Sequence, residues 1–152
     1  MKIRLAKFQD ERRVLKLLDE LGEGINEKCG YLLHNTEAEK VGGPKFREII
    51  ERKEMMIFVA EEKKQLIGLI SFYILPNMRH GYDRGHIEDV VVSKKKRGQG
   101  VGTKLMEAVK KYCQENNIKV IKLDSGLNLT DAHRFYKKVG GKFTEKMFRF
   151  DL

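Results

Sequence analysis

The spacing of apolar residues changes period repeatedly along the chain, and each change predicts an element. Residues 2–6 alternate over a length that suits a short strand. Residues 9–21 carry Val14, Leu15, Leu17, Leu18 and Leu21, the stripe of an amphipathic helix. Residues 22–43 are punctuated by glycine and keep no clean period, which predicts a loop with room for one helical turn. Pro44 suits the first turn of a helix whose apolar face is Phe46, Ile49 and Ile50. Residues 55–60 and 66–75 read as two strands of a hairpin joined by the polar turn 61–65. After the polar loop 76–85, residues 87–92 form a third core strand, and the unbroken Val90-Val91-Val92 predicts burial on both faces.

Residues 103–116 place Leu105, Met106, Val109, Tyr112 and Cys113 at helical spacing, and residues 119–123 alternate as a strand. Thr130 can cap a helix that runs to Val139 with Ala132, Phe135, Tyr136 and Val139 turned inward. Residues 142–150 close the chain as one or two strands after the Gly140-Gly141 break. The order is β-α-α-β-β-β-α-β-α-β, with no repeat, linker or low-complexity stretch. It predicts a single α+β domain over residues 1–152, built on a mixed central sheet of six to seven strands with flanking helices. Strand 87–92, helix 103–116 and strand 119–123 have the length of a right-handed crossover between parallel strands.

Composition narrows the class. The chain of 152 residues has the size of one compact domain, and 41% apolar content with 2 prolines argues against disorder. Cys29 and Cys113 lie far apart and build neither a disulfide framework nor a zinc site, so reduced thiols and a cytoplasmic location are expected. His34, His80, His86 and His133 form no ligand cluster, and no metal is expected. Charges interrupt each short apolar run near the N-terminus, which fits no signal peptide, and no later run suits a bilayer, so no membrane partner is expected. The net charge of +9 suits a lysine-rich surface or a phosphate-bearing ligand. No helix-turn-helix or interleaved aromatic-basic stripe supports a nucleic-acid partner.

The chemistry concentrates between the third core strand and the following helix. There the chain reads Lys94-Lys95-Lys96-Arg97-Gly98-Gln99-Gly100-Val101-Gly102-Thr103. Three alternate glycines let backbone approach an anion, and the first helical turn points its free N–H groups and positive dipole end at it. A dinucleotide fingerprint would need glycine at 103, where Thr103 stands, and P-loop spacing does not occur. Arg97-x-x-Gly100-x-Gly102 resembles the R/Q-x-x-G-x-G/A coenzyme motif of the GNAT acyltransferase superfamily, and the element order over about residues 2–150 is similar to that fold. The resemblance implies acetyl-CoA as co-substrate, lying across the C-terminal ends of the two parallel strands. Its pantetheine arm would follow the backbone of Val90, Val91 and Val92, and its pyrophosphate would sit on Gly98, Gln99, Gly100, Val101, Gly102 and Thr103. Asn128 stands slightly off the place where related chains put a coenzyme-contacting asparagine.

Amide formation from an ammonium and a thioester needs a proton acceptor, an oxyanion donor and help for the leaving thiolate. Glu88 and Asp89 precede the valines, and strand alternation lets only one of them face the acyl group. The resemblance implies Glu88 as base, acting through a water; a paired structural carboxylate or a substrate clamp is the alternative for either acid. It also implies Tyr136 as the acid for the coenzyme sulfur, the alternative being a core aromatic beside Phe135. An N–H of residues 90–92 would hold the oxyanion. Cys113 sits on an apolar stripe, so direct transfer is expected rather than an acyl-enzyme.

The residues from Gly85 to Val92 look like those of glucosamine-6-phosphate N-acetyltransferases. Asp131-Ala132-His133-Arg134-Phe135-Tyr136, with Phe148-Arg149-Phe150, resembles aminoalkylphosphonate N-acetyltransferases. The expected acceptor is thus the primary amine of a small molecule, with phosphorylated amino sugars and aminophosphonates as candidates. The alternatives are a peptide or protein amine, or a non-catalytic acyl-CoA sensor of the same fold. The late β segment offers a strand for pairing or exchange with a second copy, which would give a homodimer.

Overall fold

Five strands stand in chain order across one sheet: β1 (Lys2–Leu5), β2 (Met55–Glu62), β3 (Gln65–Leu75), β4 (Arg84–Val92) and β5 (Ile121–Leu123). The computed structural model describes residues 1–29, 37–52, 55–148 and 150; His34 and Arg149 lie outside them. Neighbours from β1 to β4 pair antiparallel, whereas β4 and β5 are parallel. A parallel neighbour requires a crossover, and helix α4 (Val101–Glu115) supplies it where the apolar spacing predicts. The hairpin turns on Lys63 and Lys64, at φ of 48° and 64°, a two-residue left-handed turn that matches strand twist and is shorter than the five-residue turn expected.

Helices α1 (Glu11–Cys29), α2 (Ala38–Val41) and α3 (Gly43–Arg52) lie on one face of the sheet, and α4 with α5 (Thr130–Lys138) on the other. Val14, Leu15, Leu17 and Phe46 pack on Ile57, Val59, Leu69 and Val91 in the first layer. Leu105 and Val109 pack on Ile70, Phe72 and Ile87 in the second, with Phe135 of α5 against them. Val91 faces the first layer, while Val90 and Val92 face the second, so the valine triplet does serve both. Cys113 is buried in the α4 core, as its place on the apolar stripe predicts.

Four expectations change. The loop expected from residue 22 begins as helix, because α1 continues through Gly22 and Gly24 to Cys29. Each glycine costs a helix about 1 kcal/mol relative to alanine, yet the helix end is tied into the fold: Cys29 is buried and Lys28 pairs with Asp131 of α5 at 2.7 Å. The helix also starts later than residue 9, after a single 3-10 turn at Phe8–Asp10. Thr130 is the first residue of α5 rather than its cap; Leu129 occupies that place and makes no side-chain cap. Finally, the sheet has five strands and not six or seven, since residues 141–148 and 150 form no strand. Their apolar positions Phe143, Met147, Phe148 and Phe150 break the period of two between Met147 and Phe148, so neither face is continuous, and all four side chains are exposed.

The start of α1 is held by charge. Asp10 is fully buried. It accepts hydrogen bonds from Arg4 Nη1 at 2.6 Å, Arg4 Nη2 at 3.0 Å and the Lys7 N–H at 2.8 Å, and pairs with Arg13. Burial pushes the Asp10 carboxyl up, but the Arg4 and Lys7 hydrogen bonds and the two guanidinium charges outweigh it and hold it below its ordinary 3.8. A lowered folded value means that Asp10 contributes stability above pH 3.8 and loses it as pH falls through the folded value. Asp10→Ala leaves Arg4 half-paired in the interior and is expected to cost about 3 kcal/mol in urea unfolding at pH 7, with the difference from the unsubstituted chain shrinking in acid.

Candidate active site

The link from β4 to α4 is shaped by two glycines. Gly98 and Gly100 have φ of 75° and 77°, the left-handed region that residues with a Cβ rarely enter, and neither would meet another atom within 4 Å if it carried one. The space around them is open. Gly100 is the N-cap of α4 and no side chain caps the helix. The N–H groups of Val101, Gly102 and Thr103 therefore have no intrahelical partner. Gly102 faces inward: a Cβ there would stand 3.1 Å from the Phe135 ring, which seats the first turn of α4 close against α5.

The basic block does less than its charge suggests. Lys94 Nζ pairs with Glu27 at 3.3 Å, Lys96 pairs with Glu62, and the Lys94 N–H donates to Glu20. Arg97 Nε donates to the Val92 carbonyl at 3.0 Å, and the Gln99 side chain donates to the Lys95 carbonyl at 3.1 Å. Arg97 Nε and the Gln99 amide thus fasten the loop to itself, while the exposed Lys95 makes no ion pair with the described residues.

Beside this loop the sheet opens. The parallel pairing of β4 with β5 runs only from Gly85↔Ile121 to Ile87↔Leu123. Beyond Ile87, the β4 edge that faces β5 is unpaired among the described residues, while its other edge pairs Val90, Val91 and Val92 with Ile70, Leu69 and Gly68. An extended amide-bearing chain can hydrogen-bond along that free edge as a further strand would.

A bulge sits at the mouth of the opening. Ile70 pairs with Val90 and Phe72 with Ile87, so Ser71 alone opposes both Glu88 and Asp89. Ser71 Oγ accepts the Asp89 N–H at 2.9 Å and donates to Asp89 Oδ2 at 2.6 Å. The extra residue cancels the alternation on which opposite faces for the two acids were expected. Ile87 and Val90, three apart, both face the α4 layer, and Asp89 lines a cavity beneath α1 and α3. Burial raises the Asp89 carboxyl, and the Ser71 hydrogen bond offsets this only in part.

Glu88 is exposed. Its Oε2 lies 3.6 Å from His86 Nε2, and Asp124 Oδ2, just past β5, lies 3.9 Å from the same nitrogen. His86 and Asp124 were not assigned roles from the sequence, because only the β4–β5 pairing makes them neighbours. Tyr136 is half-buried on α5 beside Phe135, ring centroids 5.4 Å apart. Burial first, and the Asp89 charge second, push its phenol up to about 12. Asp89 and Tyr136 are thus brought into one electrostatic neighbourhood. Asn128 is exposed in the turn before α5. Ser125, four residues before Leu129, buries a hydroxyl with no hydrogen-bond partner among the described residues. Burial lifts the Cys113 thiol to about 11, which suits a packing residue and not a nucleophile. Among the described residues no group of three His, Cys, Asp or Glu is placed to hold a metal, and no helix is long and apolar enough to cross a membrane.

Open strand edge, bulge and uncapped helix lie together at the C-terminal end of β4. Residues 21–141 match the model of the acetyltransferase (GNAT) family, and the chain belongs to that family. Its members use acetyl-CoA as co-substrate. A glucosamine 6-phosphate N-acetyltransferase of Trypanosoma brucei brucei is 28% identical over 144 residues, covering 91% of this chain and 95% of the relative. An aminoalkylphosphonate N-acetyltransferase of Salmonella typhimurium is 29% identical over 86 residues, 57% of this chain and 54% of that one. The fold is similar to that of a Bacillus halodurans protein solved as a tetramutant, with TM-score 0.86, 22% identity and 100% of both chains covered.

Proposed function

We propose that this chain transfers the acetyl group of acetyl-CoA directly to a primary amine of a small molecule. The observation that carries the reading is the uncapped N-terminus of α4 behind Gly98 and Gly100, next to the β4 edge that β5 leaves free. A pyrophosphate on the N–H groups of Val101, Gly102 and Thr103 supplies the missing acceptors and meets the positive end of the helix dipole. Pantetheine amides then follow Val90, Val91 and Val92, which brings the thioester to the bulge. Asn128 and the Ser125 hydroxyl, in the segment that follows β5, are the candidates for further contacts.

At the bulge the amine nitrogen attacks the thioester carbonyl carbon. A C–N bond forms, the C–S bond breaks, and a backbone N–H of residues 90–92 holds the oxyanion between the two events. The ammonium proton passes through water to Glu88, beside His86 and Asp124. Tyr136 donates its O–H to the departing sulfur. A phenol near 12 keeps its proton against a thiolate whose acid is near 8.5, so Tyr136 acts by hydrogen bonding and solvent protonates the thiolate. The products are an N-acetyl amine and the coenzyme thiol.

The test is amine-dependent thiol release from acetyl-CoA across a panel. Glucosamine 6-phosphate and 2-aminoethylphosphonate belong in it because of the relatives' names, and a peptide N-terminus covers the protein-amine alternative. Turnover on at least one amine is expected; acetyl-CoA binding without turnover on any would make the chain a sensor. Glu88→Gln is expected to lower kcat/KM roughly 10- to 50-fold, below the range of a base in direct contact. An unchanged kcat/KM removes Glu88 from the mechanism.

A further inference from the structure

Asp89 lacks a partner of the kind its surroundings demand. It is a carboxylate held inward by the bulge, and it forms no ion pair with the described residues, although the chain carries a net charge of +9. Its Oδ2 has the Ser71 hydroxyl; its Oδ1 accepts no hydrogen bond from the described residues. Taking a carboxylate out of water without a cation is costly. The cavity it lines measures about 150 Å3, a void of a size that close-packed cores do not leave unused. Leu15 and Leu18 of α1, Phe46 and Ile49 of α3, and Leu69 of β3 are among the apolar residues of its wall. Its polar side chains are Ser71, Asp89 and Lys45, and the Lys45 ammonium is already paired with Glu48 at 2.5 Å.

We infer that this cavity is the acceptor subsite and that it selects a primary amine on a small apolar body, with the ammonium on Asp89 and the hydrocarbon against Leu18, Ile49 and Phe46. This rests on the acetyltransferase reading above and names its substrate class. The ammonium gives Asp89 its cation at the mouth of the β4–β5 opening, where the acyl carbon would arrive. A cavity of about 150 Å3 walled by Leu, Ile and Phe takes a body near the size of benzene, so a branched C5 chain or a phenyl ring fits. A phosphoryl group finds no unpaired cation there. The apolar wall therefore sets this acceptor apart from those in the names of the two curated relatives.

The test compares isoamylamine and benzylamine with glucosamine 6-phosphate and 2-aminoethylphosphonate in thiol release at saturating acetyl-CoA, using the full chain. The apolar amines are expected to show kcat/KM at least tenfold higher. Leu18→Trp fills the cavity and is expected to raise KM for isoamylamine tenfold or more while acetyl-CoA binding is unchanged. Should that variant not fold, Leu18→Ala enlarges the cavity and is expected to shift preference from benzylamine toward 1-naphthylmethylamine. Asp89→Asn is expected to raise KM for every amine. Turnover confined to the phosphoryl-bearing amines, or KM values indifferent to both Leu18 variants, overturns the inference and leaves the acetyltransferase reading intact. Direct calorimetric titration with benzylamine separates the opposite case. Binding that is lost in Asp89→Asn without turnover on any amine sustains the subsite and removes the reaction; neither binding nor turnover overturns both.

Discussion

Gly100→Val is expected to weaken CoA binding roughly 100-fold or more, the equivalent of about 2.7 kcal/mol, while the chain stays folded. The reason is local. Gly100 sits at φ of 77°, where a β-branched residue is strained by about 1–3 kcal/mol. The strain is relieved only by rotating the peptide groups that aim the N–H groups of Val101 and Gly102. No atom of the protein lies within 4 Å of the position a Cβ would take, so the new side chain clashes with nothing in the core. It enters the open space where the phosphates are placed instead. Binding is thus expected to fall far more than stability does. Calorimetric titration with CoA, beside a thermal melt, separates the two. A melt lowered by many degrees with affinity preserved would mean that the glycine serves the fold and not the ligand.

Tyr136→Phe is expected to lower kcat roughly 100-fold with the KM for acetyl-CoA nearly unchanged. One hydrogen bond to a charged group is worth about 1.5–3 kcal/mol, and this one strengthens as charge gathers on the departing sulfur. Removing the hydroxyl keeps the ring that packs beside Phe135, so folding is little affected. The raised phenol makes the pH signature specific. With a value of about 12, set by burial and then by Asp89, the hydroxyl stays protonated through the neutral range. The unsubstituted enzyme should therefore show no alkaline limb from Tyr136 between pH 6 and roughly 9. A limb in that window that vanishes in Tyr136→Phe would mean that the phenol titrates, and full proton transfer to sulfur would replace the hydrogen bond. Stopped-time assays across pH with both proteins decide between them.

The loop and helix start proposed for the coenzyme were legible because they are local in sequence. The glycine spacing, the preceding apolar strand and the following apolar stripe all fall within residues 87–116. Left-handed φ at Gly98 and Gly100 is the conformation that such glycines permit. The bulge and cavity proposed for the acceptor were not legible, because long-range pairing builds them. Nothing near Glu88 and Asp89 announces a bulge; it exists because Ser71 opposes both. A serine inside the apolar run Leu69-Ile70-Ser71-Phe72 was the available signal, since a buried hydroxyl requires a partner. His86 and Asp124 meet only through the short register of β4 on β5. Gly22 and Gly24 hid the second half of α1 because local propensity argues against helix there, while its contacts are long-range, Glu20 and Glu27 with Lys94 and Lys28 with Asp131. The cavity gives no signal in the sequence, as its wall is drawn from α1, α2, α3 and three strands.

Direct acetyl transfer from a coenzyme held on the α4 N-terminus is decided by a single-turnover reaction. Enzyme in excess over acetyl-CoA is mixed with an accepted amine, quenched, and assayed by mass spectrometry for coenzyme thiol, N-acetyl amine and acetylated protein. Direct transfer gives thiol and N-acetyl amine together in equal amounts, with no acetylated protein and no thiol when the amine is omitted. Thiol released ahead of product with acetyl on the chain, or acetyl-CoA recovered intact with every amine, would contradict it.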